Sequence, residues 1–380
     1  MVDVGYFFSS LRDSEVDFFA GVPDSLLKDI CAFITDNSLP DKHIIAANEG
    51  NAISLGIGYH LATKKIPLIY MQNSGLGNVI NPLLSLADPD VYSIPMLLLI
   101  GWRGEPNIKD EPQHLKQGKV TTELLDSMKI PYEVMSSEMN SKDAEVVLKK
   151  ILKSAHSLKT PCALLVKKDT FKSYELKFER VYERELYREE VIEIIINNLD
   201  KDDIVVSTTG VASRELFELR EKNSESHEKD FLTVGGMGHA SQIALGISLF
   251  KKDRMIFCID GDGALLMHMG SLAINADKAA SNFKHIVINN SAHDSVGGQP
   301  TVGGKIDIPG LALSAGYIWA KKALDKDNLL SLFLEMRDIN GPALLEVQVK
   351  KGFRKGLGRP TLSPIENKNS FMEFLDYDSN

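Results

Sequence analysis

Short apolar runs recur along the chain at residues 66–71, 96–100, 204–207, 255–259 and 285–288, each followed at once by glycine or polar residues. Three to six consecutive apolar positions bounded by polar or turn residues predict strands buried on both faces. Between the runs lie longer stretches of helical spacing. In the first half the pattern predicts a helix over 4–14, a strand over 18–20 and the turn Gly21-Val22-Pro23-Asp24 leading into a helix from Ser25. A strand over 43–48 then gives way to a helix from Glu49 to about residue 62, and the strand over 66–71 to a Gly-rich turn over 72–78. In the second half, Thr208-Thr209-Gly210 follows the strand over 204–207, and Gly235 to His239 precede a helix from Ala240. The strand over 255–259 leads through Gly261-Asp262-Gly263 into a helix expected over 264–280, and the strand over 285–288 ends on Asn289-Asn290. Strands alternating with helices predict an α/β protein with largely parallel sheets.

The halves repeat one another. A shift of 188 lays Gly50 on Gly238, Ala52 on Ala240, Gly58 on Gly246, Gly75 on Gly263 and Ile100 on Ile288. Strand, helix and glycine turn recur in the same order, so duplication explains the pattern better than chance coincidence of glycines. The expected organisation is a first domain over 1–166, a charge-rich linker over 167–185 and a second domain over 186–380.

Composition narrows the class. With 43% hydrophobic residues and 25% charged, the 380-residue chain reads as globular, and a net charge of −9 argues against nucleic acid as a partner. Cys31, Cys162 and Cys258 sit in apolar contexts without paired spacing, as expected of buried thiols in a reducing compartment. No apolar run reaches membrane-spanning length and no basic-then-apolar leader opens the chain, so a cytoplasmic protein without membrane contact is expected.

The candidate chemistry clusters where parallel strands end, the edge at which such folds bind ligands. In Gly261-Asp262-Gly263-Ala264 the glycines let backbone N–H groups approach a phosphate. Asp262 and an Asn amide oxygen offer the hard oxygen ligands that Mg²⁺ prefers. Taken alone, Glu49 reads as a favourable charge in a helix's first turn and Asp24 as a helix cap. The polar segment Glu111-Pro112-Gln113-His114 reads as surface loop, and the basic run over 350–359 as a solvated face in which Arg354 and Arg359 could meet an anion.

The unit running from GDG through a helix to NN resembles the thiamine-diphosphate-dependent 2-oxo-acid decarboxylase family. The resemblance extends to GVPDSLL, NEGNA, QNSGLGN, EPQH, SAHDSVGGQPT and GLGRP, spanning nearly the whole chain. It implies two related thiamine-diphosphate-binding-fold domains, the first for the pyrimidine and the second for the diphosphate, each a mainly parallel sheet flanked by helices. It makes Glu49 the residue that bonds N1′ of the aminopyrimidine, and Gly235 and Met237 the residues that hold and bend the cofactor. Thr209, Gly210, Gly261, Gly263 and Ala264 become diphosphate contacts, and Asp262, Asn290 and the Ala292 carbonyl become Mg²⁺ ligands. Asp24, Gln113 and His114 are then candidates lining the reaction centre. The chain has no room for the middle domain of the larger members. The branch implied acts on a small 2-oxo acid bearing a second, tetrahedral anion: phosphonopyruvate in phosphonate biosynthesis, with sulfopyruvate as the alternative. A carboligase and a non-catalytic cofactor-binding protein are the competing classes. The family also implies a homo-oligomer with active sites at the subunit interface.

Overall fold

The computed structural model describes residues 1–376, which form two compact units, 1–180 and 181–376. In the first unit the strands are β1 (Phe19–Gly21), β2 (His43–Ile45), β3 (Leu68–Gln72), β4 (Leu97–Gly101), β5 (Tyr132–Met135) and β6 (Cys162–Val166). They make one parallel sheet in the order β2-β1-β3-β4-β6-β5. In the second unit the strands are β7 (Ile204–Ser207), β8 (Asp230–Leu232), β9 (Ile256–Gly261), β10 (Phe283–Asn289), β11 (Trp319–Ala323) and β12 (Ala343–Gln348). Their order is β11-β12-β10-β9-β7-β8, all parallel. Read from the other edge, the first sheet has the same connectivity: β3 corresponds to β9, β4 to β10 and β6 to β12. The shift of 188 carries β3 onto β9 and β4 onto β10, so the repeat in the sequence is a repeat of topology.

The continuous apolar runs follow from burial on both faces. Along β3 and β4, Leu68, Tyr70, Leu97 and Leu99 join one core layer while Ile69, Met71, Leu98 and Ile100 join the other. In β9, Phe257 and Ile259 face one layer and Ile256 and Cys258 the opposite one. All three cysteines are free and buried. No helix among the described residues is long and apolar enough to cross a membrane.

Local departures from the expected elements have physical causes. The strand expected over 43–48 stops at Ile45, because Asn48 turns out of the sheet to cap the next helix, its side chain accepting from the Asn51 N–H at 2.9 Å. The helix expected from Ser25 starts at Lys28, since Asp24 holds the intervening turn by accepting from the Leu26 N–H at 2.9 Å. The helix expected over 264–280 is two, Asp262–Met267 and Ser271–Lys278, broken beside Gly270, a poor helix former. The polar segment over 111–114 is not loop: Pro112 starts a helix, Pro112–Ser127, because its fixed φ and missing N–H suit a first helical position. The charge-rich segment over 167–185 is anchored at both ends. Phe171 bridges to Val2 and is buried, and Arg184 donates to the carbonyls of Asn289 and Val349 at 3.1 and 2.8 Å.

Buried Asn73 fastens the ends of β3 and β4. Its amide donates to the Arg103 carbonyl at 2.8 Å and to Thr121 Oγ1 at 2.9 Å, and it accepts from the Arg103 N–H at 3.1 Å. Asn73→Ala leaves these buried partners unmade and should destabilise the first unit by about 1–3 kcal/mol, measured by urea unfolding.

Candidate active site

In the first unit the polar residues collect at the carboxyl ends of the strands. Glu49 opens the helix Glu49–Thr63 and is only 5% exposed. Asn78 Nδ2 donates to Glu49 Oε2 at 2.7 Å, which fixes one carboxylate oxygen. Gly75 provides the space, since a Cβ there would stand 2.7 Å from Glu49 Oε1. Asp24, in the turn after β1, is fully buried and accepts from Gln72 Nε2 at 2.6 Å. Burial raises its carboxyl above the ordinary value, against the pull of the Gln72 amide, the Leu26 N–H and the Arg103 charge. A Cβ on Gly101 would lie 2.1 Å from Asp24 Oδ2, so β4 must end in glycine.

Arg103 donates to Ser25 Oγ at 2.8 Å and grips Asp110 with its fork, holding that carboxyl well below the usual range. Gly104 has φ +66°, and a Cβ there would meet the His114 carbonyl oxygen. Its absence lets the helix turn bearing half-buried Gln113 and His114 press against the loop after β4. Asp24, Glu49 and His114 are thus tied to two adjoining turns, 72–75 and 101–104.

The second unit makes the matching construction from different side chains. Asp262, 2% exposed, accepts from the Thr301 hydroxyl. Burial pushes its carboxyl up to about 6, while Thr301, the Asn290 N–H and the Arg184 charge pull it down. Gly303 closes over it, for a Cβ there would lie 2.5 Å from Asp262 Oδ2. A Cβ on Gly263 would stand 3.1 Å from the His293 ring and 3.6 Å from Met237 Cε, so those side chains meet above the GDG turn. Gly210, at φ +96°, puts the turn after β7 against Ser295, whose Oγ would be 3.5 Å from a Cβ. The turns carrying Thr209, Gly210, Gly235, Met237, Gly261, Gly263, Ala264, Asn290 and Ala292 all leave the carboxyl ends of β7 to β10. Under the shift of 188, Met237 takes the position of Glu49.

Comparison with known proteins decides the family. Residues 4–130 match the model of the thiamine pyrophosphate enzyme N-terminal TPP binding domain, and residues 208–347 that of the C-terminal TPP binding domain. The chain is 30% identical over 390 residues to phosphonopyruvate decarboxylase of Streptomyces viridochromogenes, covering 99% of this chain and 95% of that one. The chain belongs to the thiamine-diphosphate-dependent decarboxylase family. Phosphonopyruvate decarboxylase of Streptomyces hygroscopicus is similarly 30% identical, with 98% and 94% covered. Sulfopyruvate decarboxylase of Methanosarcina acetivorans is 26% identical over 96% of both chains. The resemblance read from the motifs therefore extends over the full length, and the enzyme is a carboxy-lyase of that family.

The residues of this decarboxylase fit a bound thiamine diphosphate. The second unit carries buried polar atoms that its own fold leaves unanswered. Gln299 is fully buried in the loop after Asn290, and both its amide atoms lack a hydrogen-bond partner among the described residues. The Tyr182 hydroxyl, beside Gly304, is likewise buried and unpartnered. Asp262, raised by burial and faced by the Thr301 hydroxyl, the Asn290 N–H and the Arg184 charge, is a buried acid with room for a cation's charge.

Several participants escaped the sequence reading. Asn78 and Gln72 lie in a segment read only as a Gly-rich turn, and Thr301 in a motif read only as family pattern. Arg184 lies in the segment read as linker, yet its Nη2 donates to Ser291 Oγ at 2.6 Å and its guanidinium stacks 4.4 Å from the Tyr182 ring centre. Arg354, the other basic candidate, is paired with Glu189, at 2.8 Å, and with Glu218.

Proposed function

We propose that the enzyme decarboxylates 3-phosphonopyruvate to phosphonoacetaldehyde and CO₂ within phosphonate biosynthesis, with Mg²⁺ anchoring thiamine diphosphate. The observation that carries this reading is the full-length similarity to phosphonopyruvate decarboxylases, beside the burial of Glu49 and Asp262 in this chain. Bound thiamine diphosphate supplies the electron sink that allows the bond between the carboxylate and the 2-oxo carbon to break. The chain's own residues do the rest. Glu49 holds and returns a proton at N1′ of the aminopyrimidine, with Asn78 keeping one oxygen fixed and Gly75 keeping the other uncovered. The Gly235 carbonyl would accept from the 4′-amino group, and Met237 would support the cofactor from below. Asp262, the Asn290 side-chain oxygen and the Ala292 carbonyl hold Mg²⁺. The backbone around Thr209, Gly210, Gly261, Gly263 and Ala264 holds the diphosphate. Asp24, whose burial favours the protonated form, and the neighbouring Gln113 and His114 hold the substrate and supply the proton that replaces CO₂. Arg359 remains the candidate for the phosphonate.

The first unit of one copy and the second unit of another together supply each cofactor site, so the enzyme is a homo-oligomer. Sedimentation velocity should show no fully active monomer; a monomer with full turnover contradicts this. The substrate assignment is tested by comparing kcat/KM for phosphonopyruvate, sulfopyruvate and pyruvate, with and without an aldehyde acceptor. Phosphonopyruvate should exceed pyruvate, which lacks the second anion, by about 10⁴-fold, the discrimination expected of a site built to bond a polar group, and should exceed sulfopyruvate as well. The similarity to sulfopyruvate decarboxylase makes sulfopyruvate the rival, and a higher kcat/KM for it overturns the assignment.

A further inference from the structure

We propose that Asp294 is a positioning residue that sets which end of the Asn290 amide faces the cation. The inference rests on the reading of Asp262 and Asn290 as Mg²⁺ ligands. Asn290 Nδ2 donates to Asp294 Oδ2 at 2.7 Å. Two further donors converge on the same oxygen, Arg188 Nη1 at 3.2 Å and the Gly352 N–H at 3.0 Å. The Asp294 side chain is 5% exposed, so this oxygen is held without competition from bulk water.

Arg188 is fixed in turn. Its Nε and Nη2 reach the two oxygens of Glu215 at 2.7 and 3.2 Å, and its Nη2 also reaches the Gly352 carbonyl at 3.3 Å. Glu215 is 1% exposed. A buried acid, a forked guanidinium, a second acid and an amide therefore form one chain of bonds ending on Asn290.

The chemistry of the last bond carries the proposal. A carboxylamide presents two donors at one end and an acceptor at the other, and only the acceptor end can ligate a hard cation. A carboxylate only accepts, so it selects the NH₂ end and leaves Oδ1 facing away. Asn290 Oδ1 takes the Ala292 N–H at 3.0 Å and keeps a second lone pair. Without Asp294, only the Ala292 N–H still selects the oxygen end of the amide, and the NH₂ end has lost its acceptor. Outer-shell partners of this kind orient metal ligands as surely as the ligands' own backbone does. Loop geometry brings Asp294 back to Asn290: the His293 carbonyl accepts from the Gly298 N–H at 2.9 Å, and Gly297 and Gly298 have φ of +123° and +74°.

The test is Mn²⁺ binding to the full-length protein in the presence of thiamine diphosphate and without substrate, followed by electron paramagnetic resonance of free Mn²⁺. Asp294→Ala should weaken Mn²⁺ by about 10–100-fold. The variant should fold, because Arg188 keeps its forked pair with Glu215; should it not, Asp294→Ser carries the same expectation. Asp294→Asn should recover affinity to within about tenfold of wild type, because the three donors meet one oxygen that an amide can also supply. Equal losses in the Ala and Asn variants would overturn positioning in favour of plain negative charge. Unchanged affinity in Asp294→Ala, beside a clear loss in Asn290→Ala, would overturn it outright. If Asn290→Ala itself leaves Mn²⁺ binding intact, the assignment of the metal ligands fails, and the inference fails with it.

Discussion

Glu49→Gln should lower kcat by about 10²–10⁴-fold, the usual worth of a positioned proton-transfer group, while leaving the fold intact. The substitution is nearly isosteric. Its amide oxygen can still accept from Asn78 Nδ2, now at 2.7 Å from Glu49 Oε2, and Gly75 still leaves the side chain room. What it cannot do is take and return a proton. Melting temperature and thiamine diphosphate affinity should therefore stay close to wild type while steady-state turnover collapses. Glu49→Ala is the cruder probe, because it also removes a buried side chain and its bond from Asn78, an exposed residue that can turn to water instead. A Gln variant retaining wild-type kcat would remove Glu49 from the mechanism.

Asp262→Asn should abolish the stabilisation that cofactor and Mg²⁺ confer, without harming the protein that lacks them. Burial pushes the Asp262 carboxyl up to about 6, which means the cofactor-free fold holds this charge at a disadvantage. Replacing it by a neutral amide relieves that cost, so the melting temperature without ligands should be equal or higher. Wild type at a hundredfold excess over Kd should gain about 2.7 kcal/mol and several degrees from binding. The variant should gain nothing measurable in the same scanning-fluorimetry experiment, because an amide supplies no charge to the cation. An Asn variant with the full ligand-induced shift would show that Asp262 is not a metal ligand.

The sequence disclosed those parts of the site whose chemistry is local. A strand running into GDG announces itself because glycine is needed where backbone must approach a ligand, as at Gly263 under Met237 and His293. The duplication was legible because both sheets are buried on both faces, which forces the same apolar runs at the same intervals. Partners supplied by tertiary contact were not legible. Asn78 stands 29 residues from Glu49 and Thr301 stands 39 from Asp262, with nothing in their neighbourhoods to distinguish them from other polar residues. The partner of Arg354 was hidden for the same reason, since Glu189 lies 165 residues away in sequence. At the break between the helices Asp262–Met267 and Ser271–Lys278, packing adds to the weak helix propensity of Gly270. Gly238, at φ +83°, brings its turn so close that a Cβ there would lie 2.7 Å from His268 and 2.8 Å from the Ala264 carbonyl oxygen.

The most direct test of the account is ³¹P NMR of purified protein incubated with 3-phosphonopyruvate, thiamine diphosphate and Mg²⁺. The phosphonopyruvate resonance should give way to that of phosphonoacetaldehyde, with one CO₂ released per molecule consumed. Conversion should stop when the cofactor is omitted and fall to near background in Glu49→Gln. An unchanged phosphonopyruvate signal in cofactor-loaded wild type, or conversion that persists without thiamine diphosphate, would contradict it.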